Sequence, residues 1–129
     1  MILDTHIWFW WVNGDENKLS ADLKSQIASA DSLSISSVSC LEILWLEKKG
    51  KISLKLPPPD WIHEATISSQ IECLPVIKDI AILAAILPSH HNDPLDRIII
   101  ATAIHHQIAL MSFDEKFPSY LADGLILTK

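Results

Sequence analysis

The opening stretch Met1-Ile2-Leu3-Asp4-Thr5-His6 guides our interpretation of the whole sequence. Three apolar residues predict a short buried β-strand, and the acid after them stands where a helix can begin. The same succession of a short apolar run and a helix recurs along the chain, which predicts an α/β fold built on a parallel sheet. In such a sheet, residues that follow the strands meet at the edge formed by the strands' carboxyl ends.

The remaining elements are predicted from periodicity and from cap and turn residues. Further strands are expected at 33–36, 73–76 and 108–112, and a short apolar run at 125–127 closes the chain. Helices are expected at 6–12, 21–30, from Ser37 or Ser39 to 49, at 61–70 after Asp60, at 79–87 and from Pro94 past His105. Pro57 to Pro59 predict a rigid loop after an extended segment.

Composition and charge limit the classes of protein to consider. The 129 residues are 49% hydrophobic and 20% charged, which predicts one globular domain over residues 1–129. A net charge of -6 argues against a broad basic face that binds nucleic acid, but it does not argue against a metal-dependent nuclease. Two cysteines without a CxxC pair and the absence of a long apolar run predict a soluble cytoplasmic protein without membrane contact.

Four acids follow predicted strands or lie in the helices after them: Asp4, Glu42, Asp96 and Asp114. Each has a local explanation as a helix cap, a capping box that begins at Ser39, or a turn residue. Independent caps do not require four acids at one sheet edge. Clustered carboxylates repel one another unless a cation lies between them, and Mg²⁺ and Mn²⁺ prefer oxygen ligands. We therefore favour a shared metal site that acts on phosphate esters.

The sequence around these acids resembles a known family. The segments that carry the resemblance are Leu3-Asp4-Thr5-His6, Ser36-x-x-Ser39-x-x-Glu42-Ile43, His91-x-Asp93-Pro94-x-Asp96-Arg97-x-Ile99-x-Ala101-x-Ala103 and Leu110-x-Ser112-x-Asp114-x-x-Phe117. They resemble the PIN-domain family and, within it, the VapC-like toxins of toxin-antitoxin pairs. The resemblance extends from residue 3 to residue 117, while residues 52–89 carry no matching motif.

This resemblance implies a three-layer α/β/α fold and an Mg²⁺- or Mn²⁺-dependent endoribonuclease toxin. It implies an RNA substrate, a cognate antitoxin and a homodimer. Asp4, Glu42, Asp96 and Asp114 match the family's catalytic acids, with Asp114 the most variable position, while Thr5 and Ser112 stand beside them. Asp93 matches an additional acid found in one branch of the family, and we expect it mainly to cap a helix.

For the metal, we expect Asp4 with Asp96 or Asp114 as direct ligands and Glu42 through water, because Mg²⁺ rarely takes more than two carboxylates. Thr5 and Ser112 would orient carboxylates or waters. Arg97 could contact a phosphate or a partner, although a surface ion pair is favoured. His90 and His91 are adjacent in a loop and are not expected to form a transition-metal site.

Other features leave alternatives open. Trp8 to Trp11 cannot all face one core, so part of this aromatic run is expected at a surface, together with Trp45. The cluster Lys48, Lys49, Lys51 and Lys55 is expected to be a solvated face, and could otherwise track RNA. A metal-dependent DNA or flap nuclease, or a non-catalytic interaction module, remain alternatives to a ribonuclease.

Overall fold

A parallel sheet forms the centre of the fold in a computed structural model, which describes residues 1–15 and 17–128. Its strands are β1 (Ile2–Leu3), β2 (Leu33–Ser36), β3 (Ile71–Leu74) and β4 (Leu110–Met111). They lie in the order β3-β2-β1-β4, and every pair of neighbours is parallel. The predicted α/β fold with a central parallel sheet is confirmed.

Helices follow each strand in the chain. They are α1 (Thr5–Asn13), α2 (Ala21–Ser29), α3 (Ser37–Lys48), α4 (Pro58–His63), α5 (Lys78–Ile86) and α6 (Pro94–His106). A π-helical turn at Glu64–Ser68 extends α4, and a 3₁₀ helix at Phe117–Asp123 follows β4. Among the described residues, none of the helices has both the length and the apolar character needed to cross a bilayer.

The sheet separates two apolar layers because neighbouring strand residues point to opposite faces. Ile2 and Leu110 are fully buried with α5 and α6 on one face. Leu3 and Met111, the next residues on the same strands, are buried with α1 and other helices on the opposite face. This alternation produces the expected three layers, α/β/α.

The strand order places a topological switch point between β1 and β4. From β1, the chain adds β2 and then β3 on one side, and later returns to place β4 on the other side. Connections leave the two strands in opposite directions there, which opens a crevice at their carboxyl ends. Asp4 follows β1 and Ser112 follows β4, so both residues stand at this crevice.

Several predicted boundaries differ from the observed ones. Helix α4 begins at Pro58 and not after Asp60, because the fixed φ of proline suits the first turn of a helix. β3 lies two residues earlier than expected, and Leu127 forms only an isolated bridge to Leu110. Pairing between strands sets the ends of β3 and limits Leu127 to one bridge. The local sequence does not show this pairing.

The buried surface of α6 is wider than its helical periodicity predicted. Ile99, Ile100, Ala101, Thr102 and Ala103 are all buried, whereas His105, expected on the inner face, is exposed. Packing against α5, α3 and the 3₁₀ helix covers most of the circumference of α6. The helix that carries Asp96 is therefore held from several sides.

Candidate metal centre

A cleft of about 500 Å³ opens at the carboxyl edge of the sheet. It brings together the four acids that the sequence singled out, along with the flanking Asp93 and several apolar and aromatic side chains. Its lining residues are Asp4, His6, Ile7, Trp10, Glu42, Asp93, Asp96, Phe113 and Asp114. Carboxylates from residue 4 to residue 114 thus share one cavity.

Asp4 is held from two sides. It caps α1, and its Oδ1 accepts a hydrogen bond from the Thr5 amide at 2.8 Å. Its Oδ2 accepts from the Ser112 hydroxyl at 2.7 Å, which joins the ends of β1 and β4. Burial raises the pKa of Asp4, although the bonds from Ser112 and Thr5 oppose this shift.

The turn after β4 orients Asp114. The Asp114 amide donates to the Ser112 hydroxyl oxygen at 3.0 Å, and Asp114 Oδ1 accepts from the Lys116 amide at 2.8 Å. These bonds form the turn that the sequence suggested for Asp114. They leave Oδ2 directed toward His91.

His91 lies between two acids of the cleft. Its Nε2 is 2.9 Å from Asp114 Oδ2 and 3.0 Å from Asp96 Oδ2. Its Nδ1 accepts a hydrogen bond from the Asp93 amide at 3.2 Å, so the ring proton must lie on Nε2, facing the carboxylates. In this arrangement the Nε2 of His91 donates to the acids, and the three side-chain atoms lie within 4.8 Å of one another, as in a group that can hold a metal ion.

Glu42 has an unpartnered oxygen in the cleft. Its Oε1 is buried and finds no hydrogen-bond partner among the residues that the structure describes. Burial raises the pKa of Glu42, the Thr5 hydroxyl opposes the shift, and the charge of Asp4 adds to it. An unpaired buried carboxylate oxygen is rare in proteins and is explained when a cation or ordered water occupies the site.

Asp96 is strongly affected by its surroundings. Burial and, after it, the negative charges of Asp4, Asp93, Glu42 and Asp114 raise its pKa to about 8. In the described part of the chain, no Lys or Arg forms an ion pair with any of these acids. The cleft therefore concentrates negative charge without a cationic side chain to balance it.

Asp93 and Thr5 have structural roles at the margin of the cleft. Asp93 caps α6, and its Oδ1 accepts from the Leu95 amide at 2.9 Å, as the sequence suggested. The Thr5 hydroxyl lies 2.8 Å from the Ser39 hydroxyl in the buried contact between α1 and α3. Ser39 does not begin a capping box, because Ser36 caps α3 and Ser39 lies inside the helix.

Arg97 is occupied inside the molecule. Its guanidinium donates to the carbonyl oxygens of Ala84, Ala85, Leu87, Pro88 and His91, and it also contacts the Tyr120 hydroxyl. It forms no ion pair among the described residues and does not line the cleft. The structure thus corrects the surface ion pair expected for Arg97, since the guanidinium holds the end of α5 and the loop before α6. A contact of Arg97 with a phosphate or a partner stays a prediction.

Two side chains on α3, Cys40 and Ser39, are unsuited to act as covalent nucleophiles. Burial, followed by the neighbouring Cys73, raises the pKa of the Cys40 thiol to about 12, so Cys40 carries no thiolate at neutral pH. The Ser39 hydroxyl is buried against Thr5. Neither Cys40 nor Ser39 is therefore a candidate nucleophile for this cleft.

Sequence reasoning missed two features of the cleft. The first is His91, whose contacts with Asp96 and Asp114 depend on how the loop before α6 folds back onto the 3₁₀ helix. The second is the aromatic side of the cleft, to which Trp10 and Phe113 contribute. The four-residue spacing of His6 and Trp10 on α1 was a usable signal, because such residues share a helix face.

The residues of the cleft fit a hard divalent cation. Oxygen donors dominate the lining, Glu42 Oε1 lacks a partner among residues 1–15 and 17–128, and three of the acids have raised pKa values. Mg²⁺ and Mn²⁺ bind such oxygen ligands, and either ion would favour the ionised form of each acid.

Comparison with known proteins agrees with this geometry. The chain is similar to Ribonuclease VapC22 of Mycobacterium tuberculosis, with 31% identity over 121 residues that cover 93% of this chain and 91% of that protein. Its fold is similar to that of VapBC2 from Rickettsia felis bound to a promoter DNA fragment, with a TM-score of 0.69, 19% identity and coverage of 98% and 96% of the two chains. FitAcB from Neisseria gonorrhoeae has a TM-score of 0.68, 17% identity and coverage of 99% and 96%.

The family model of the PIN domain matches residues 1–120. These residues contain all the strands, all six helices and every acid of the cleft. With nearly the whole chain matched, and with a relative at 31% identity over almost its full length, the protein belongs to the PIN domain family.

Proposed function

We propose that this protein is an Mg²⁺- or Mn²⁺-dependent endoribonuclease, the toxin of a toxin-antitoxin pair acting in the cytoplasm. The observation that carries the proposal is the cleft in which Asp4, Glu42, Asp96 and Asp114 meet without a balancing Lys or Arg among the described residues. The similarity to Ribonuclease VapC22 supports RNA as the substrate.

Asp4 and either Asp96 or Asp114 would hold the cation directly, and Glu42 would reach it through water. When bound, the cation supplies a nucleophilic water at neutral pH and neutralises charge that develops on the phosphate. Glu42 Oε1 is free to accept a hydrogen bond from such a water, because no described residue occupies it.

The chain's own contribution is to fix the acids before substrate binds. Ser112 and the Thr5 amide orient both oxygens of Asp4, while the Lys116 amide and His91 orient those of Asp114. These partners are backbone amides and short side chains, which lose little freedom on binding. The site therefore needs little rearrangement to accept a cation and a phosphate.

The proposed function also includes two protein partners, an antitoxin and a second copy of this chain. Solved structures of similar fold include a toxin-antitoxin complex from Klebsiella pneumoniae, with a TM-score of 0.64 and 17% identity. We propose a cognate antitoxin that covers the acidic cleft, and a homodimer of this chain. Co-expression of the toxin with its antitoxin should restore growth, and light scattering of the purified protein should give the mass of a dimer.

A cleavage assay tests the catalytic proposal. The purified protein should cut single-stranded RNA in the presence of Mg²⁺ or Mn²⁺ and lose this activity in EDTA. The Asp4→Asn and Asp96→Asn double variant should be inactive, because two of the proposed ligands lose their charge. A DNA oligonucleotide of the same sequence should remain intact.

The matched control is Glu47→Gln, which removes an acid from α3, the helix that also carries Glu42, but outside the cleft. It should retain wild-type activity. Cleavage that persists in EDTA, or a double variant as active as the wild type, would falsify the proposed function. Cleavage of the DNA alone would identify a DNA nuclease.

A further inference from the structure

Three aromatic rings form one side of the acidic cleft: His6, Trp10 and Phe113, which we name the aromatic wall. The rings of His6 and Trp10 lie 5.7 Å apart between centroids, and those of Trp10 and Phe113 lie 6.1 Å apart. The side chain of Phe113 is 54% exposed, and His6 is also exposed. The wall therefore presents accessible ring surface inside the cavity that holds the acids.

The fold ties this wall to the acids. His6 and Trp10 share a face of α1, the helix that Asp4 caps. Phe113 stands between Ser112, which binds Asp4, and Asp114. A phosphate at the acids would place the bases of the adjoining nucleotides within reach of these rings.

The cleft lacks a cationic side chain that could bind the RNA backbone, and the aromatic wall can provide a different contact with RNA. No Lys or Arg lines the cavity in the described part of the chain. The single arginine of the sequence, Arg97, is bound to carbonyl oxygens. Stacking of bases on aromatic side chains is one of the two main contributions to the binding of single-stranded nucleic acid, and it needs no cationic group at the ring.

We propose that the aromatic wall is a stacking subsite for one unpaired base of the RNA, next to the phosphate that is cut. The proposal rests on the proposed ribonuclease function. A base inside a duplex is stacked and paired on both sides and cannot reach the wall without losing those contacts. The subsite thus selects unpaired RNA, and because every base has an aromatic face it does so with little preference for base identity.

Substitutions of the wall test this subsite. Phe113→Leu and Trp10→Leu keep apolar bulk but remove the ring. Each should lower kcat/KM for a short single-stranded RNA by about 10- to 100-fold, the range expected for one lost stacking contact. Trp45→Leu is the matched control, because Trp45 is 50% exposed but lies outside this cavity, and it should cleave RNA as the wild type does.

An abasic scan separates stacking from a loss of folding. One abasic nucleotide is moved through the RNA. At one position near the cut, it should slow the wild-type enzyme by the same factor as the substitution of Phe113 or Trp10 does. In Phe113→Leu, the abasic site at that position should cause little further loss, because the contact is already absent. If the abasic site slows cleavage by the wild type and by Phe113→Leu to the same extent, the ring and the base do not interact.

A binding measurement gives a readout independent of cleavage. In the background of the inactive Asp4→Asn and Asp96→Asn double variant, an RNA with 2-aminopurine at the sensitive position should lose fluorescence on binding, and Phe113→Leu should abolish the quenching. If the wild type cuts RNA but the wall variants cut equally well, the subsite is wrong and the ribonuclease proposal stands. If the wall variants cut normally but fail to bind the antitoxin, the wall serves the protein partner instead. If the wild type cuts no RNA, the proposed function and this inference fail together.

Discussion

At the scale of single residues, three acids of the cleft are each bound to a local backbone amide and also face distant neighbours. Asp4, Asp93 and Asp114 each use Oδ1 to accept a hydrogen bond from an amide one or two residues ahead. The sequence suggested capping and clustering as alternatives, but the structure combines them. A cap fixes one oxygen and thereby orients the other, so the local bond supports the cluster.

Glu42 differs because one of its oxygens lacks any partner in the described structure. We expect Glu42→Gln to raise the midpoint of thermal unfolding of the metal-free protein at pH 7 by a few degrees, about 1 kcal/mol, because an unpaired buried charge is removed. The increase in this midpoint that Mg²⁺ produces should be smaller in Glu42→Gln than in the wild type. Calorimetry with and without Mg²⁺ measures both effects.

The control for this prediction is Glu47→Gln on the same helix, which should change the free energy of unfolding by less than about 0.5 kcal/mol. A Glu42→Gln variant less stable than the metal-free wild type would contradict the interpretation. It would mean that Glu42 forms a favourable contact that this structure does not contain.

The side chain of His91 is expected to influence the affinity of the cleft for Mg²⁺. His91→Ala removes the donor shared by Asp96 and Asp114, and it should raise the Mg²⁺ concentration for half-maximal stabilisation by about 10- to 100-fold, as for other partners of metal ligands. Titration of Mg²⁺ against the thermal midpoint measures this shift. His90→Ala is the control, since His90 is exposed and contacts the Tyr120 ring. Equal Mg²⁺ dependence in the two variants would rule out an orienting role for His91.

At the scale of elements, Arg97 joins three parts of the fold. It lies on α6, and its guanidinium binds carbonyl oxygens at the end of α5 and in the loop that carries His91. The Tyr120 hydroxyl, on the 3₁₀ helix, donates to Pro88 and accepts from the His91 amide in the same region. This cluster sets the position of the loop before α6, and through it the position of His91 in the cleft.

Replacing this residue by lysine tests the junction. Arg97→Lys keeps the charge but cannot form the forked contacts, and several carbonyl oxygens lose their donor. We expect a loss of about 3 kcal/mol in the free energy of unfolding, measured by urea denaturation. Lys48→Ala, at an exposed position of α3, should change stability little. A fully stable Arg97→Lys variant would show that these bonds are dispensable.

The helices that sequence predicted best are those with local signals. Ser20 before α2, Asp93-Pro94 before α6 and Gly14 after α1 all act as caps at the expected places. The prediction failed where pairing or packing decides the boundary. The ends of β3, the buried circumference of α6 and the 3₁₀ helix at Phe117–Asp123 depend on distant residues that a single sequence does not show.

At the scale of the whole molecule, the fold is organised around the edge where β1 and β4 end. The α/β class and the meeting of Asp4, Glu42, Asp96 and Asp114 could be predicted, because carboxyl ends of parallel strands must share an edge. The contacts of His91 and the hydrogen bonds from Arg97 to α5 could not be predicted from the sequence, because they depend on the path of the loop before α6.

The charge of the cleft predicts how stability responds to pH. The pKa of Asp96 is raised to about 8 in the folded protein, against about 3.9 in the unfolded chain. Between these values the folded state binds more protons than the unfolded state, so the stability of the metal-free protein should fall as pH rises from about 4 to 8. Burial raises the pKa values of Asp4 and Glu42 in the same direction.

Thermal unfolding at a series of pH values checks this prediction. Mg²⁺ favours the ionised acids, so its stabilising effect should grow as pH rises, and Asp96→Asn should flatten the pH dependence of the metal-free protein. If the metal-free midpoint instead rises from pH 5 to 8, or if the Asn variant keeps the wild-type slope, the raised pKa of Asp96 is wrong.

The hydrogen bond from Ser112 to Asp4 spans 108 positions of the sequence. During translation, Asp4 is therefore synthesised 108 residues before Ser112. A nascent polypeptide that stalls before Ser112 is added lacks one flank of the cleft, and termination at that point releases a product without it. Synthesis itself thus delays assembly of the acidic centre until the segment that carries Ser112 and Asp114 exists.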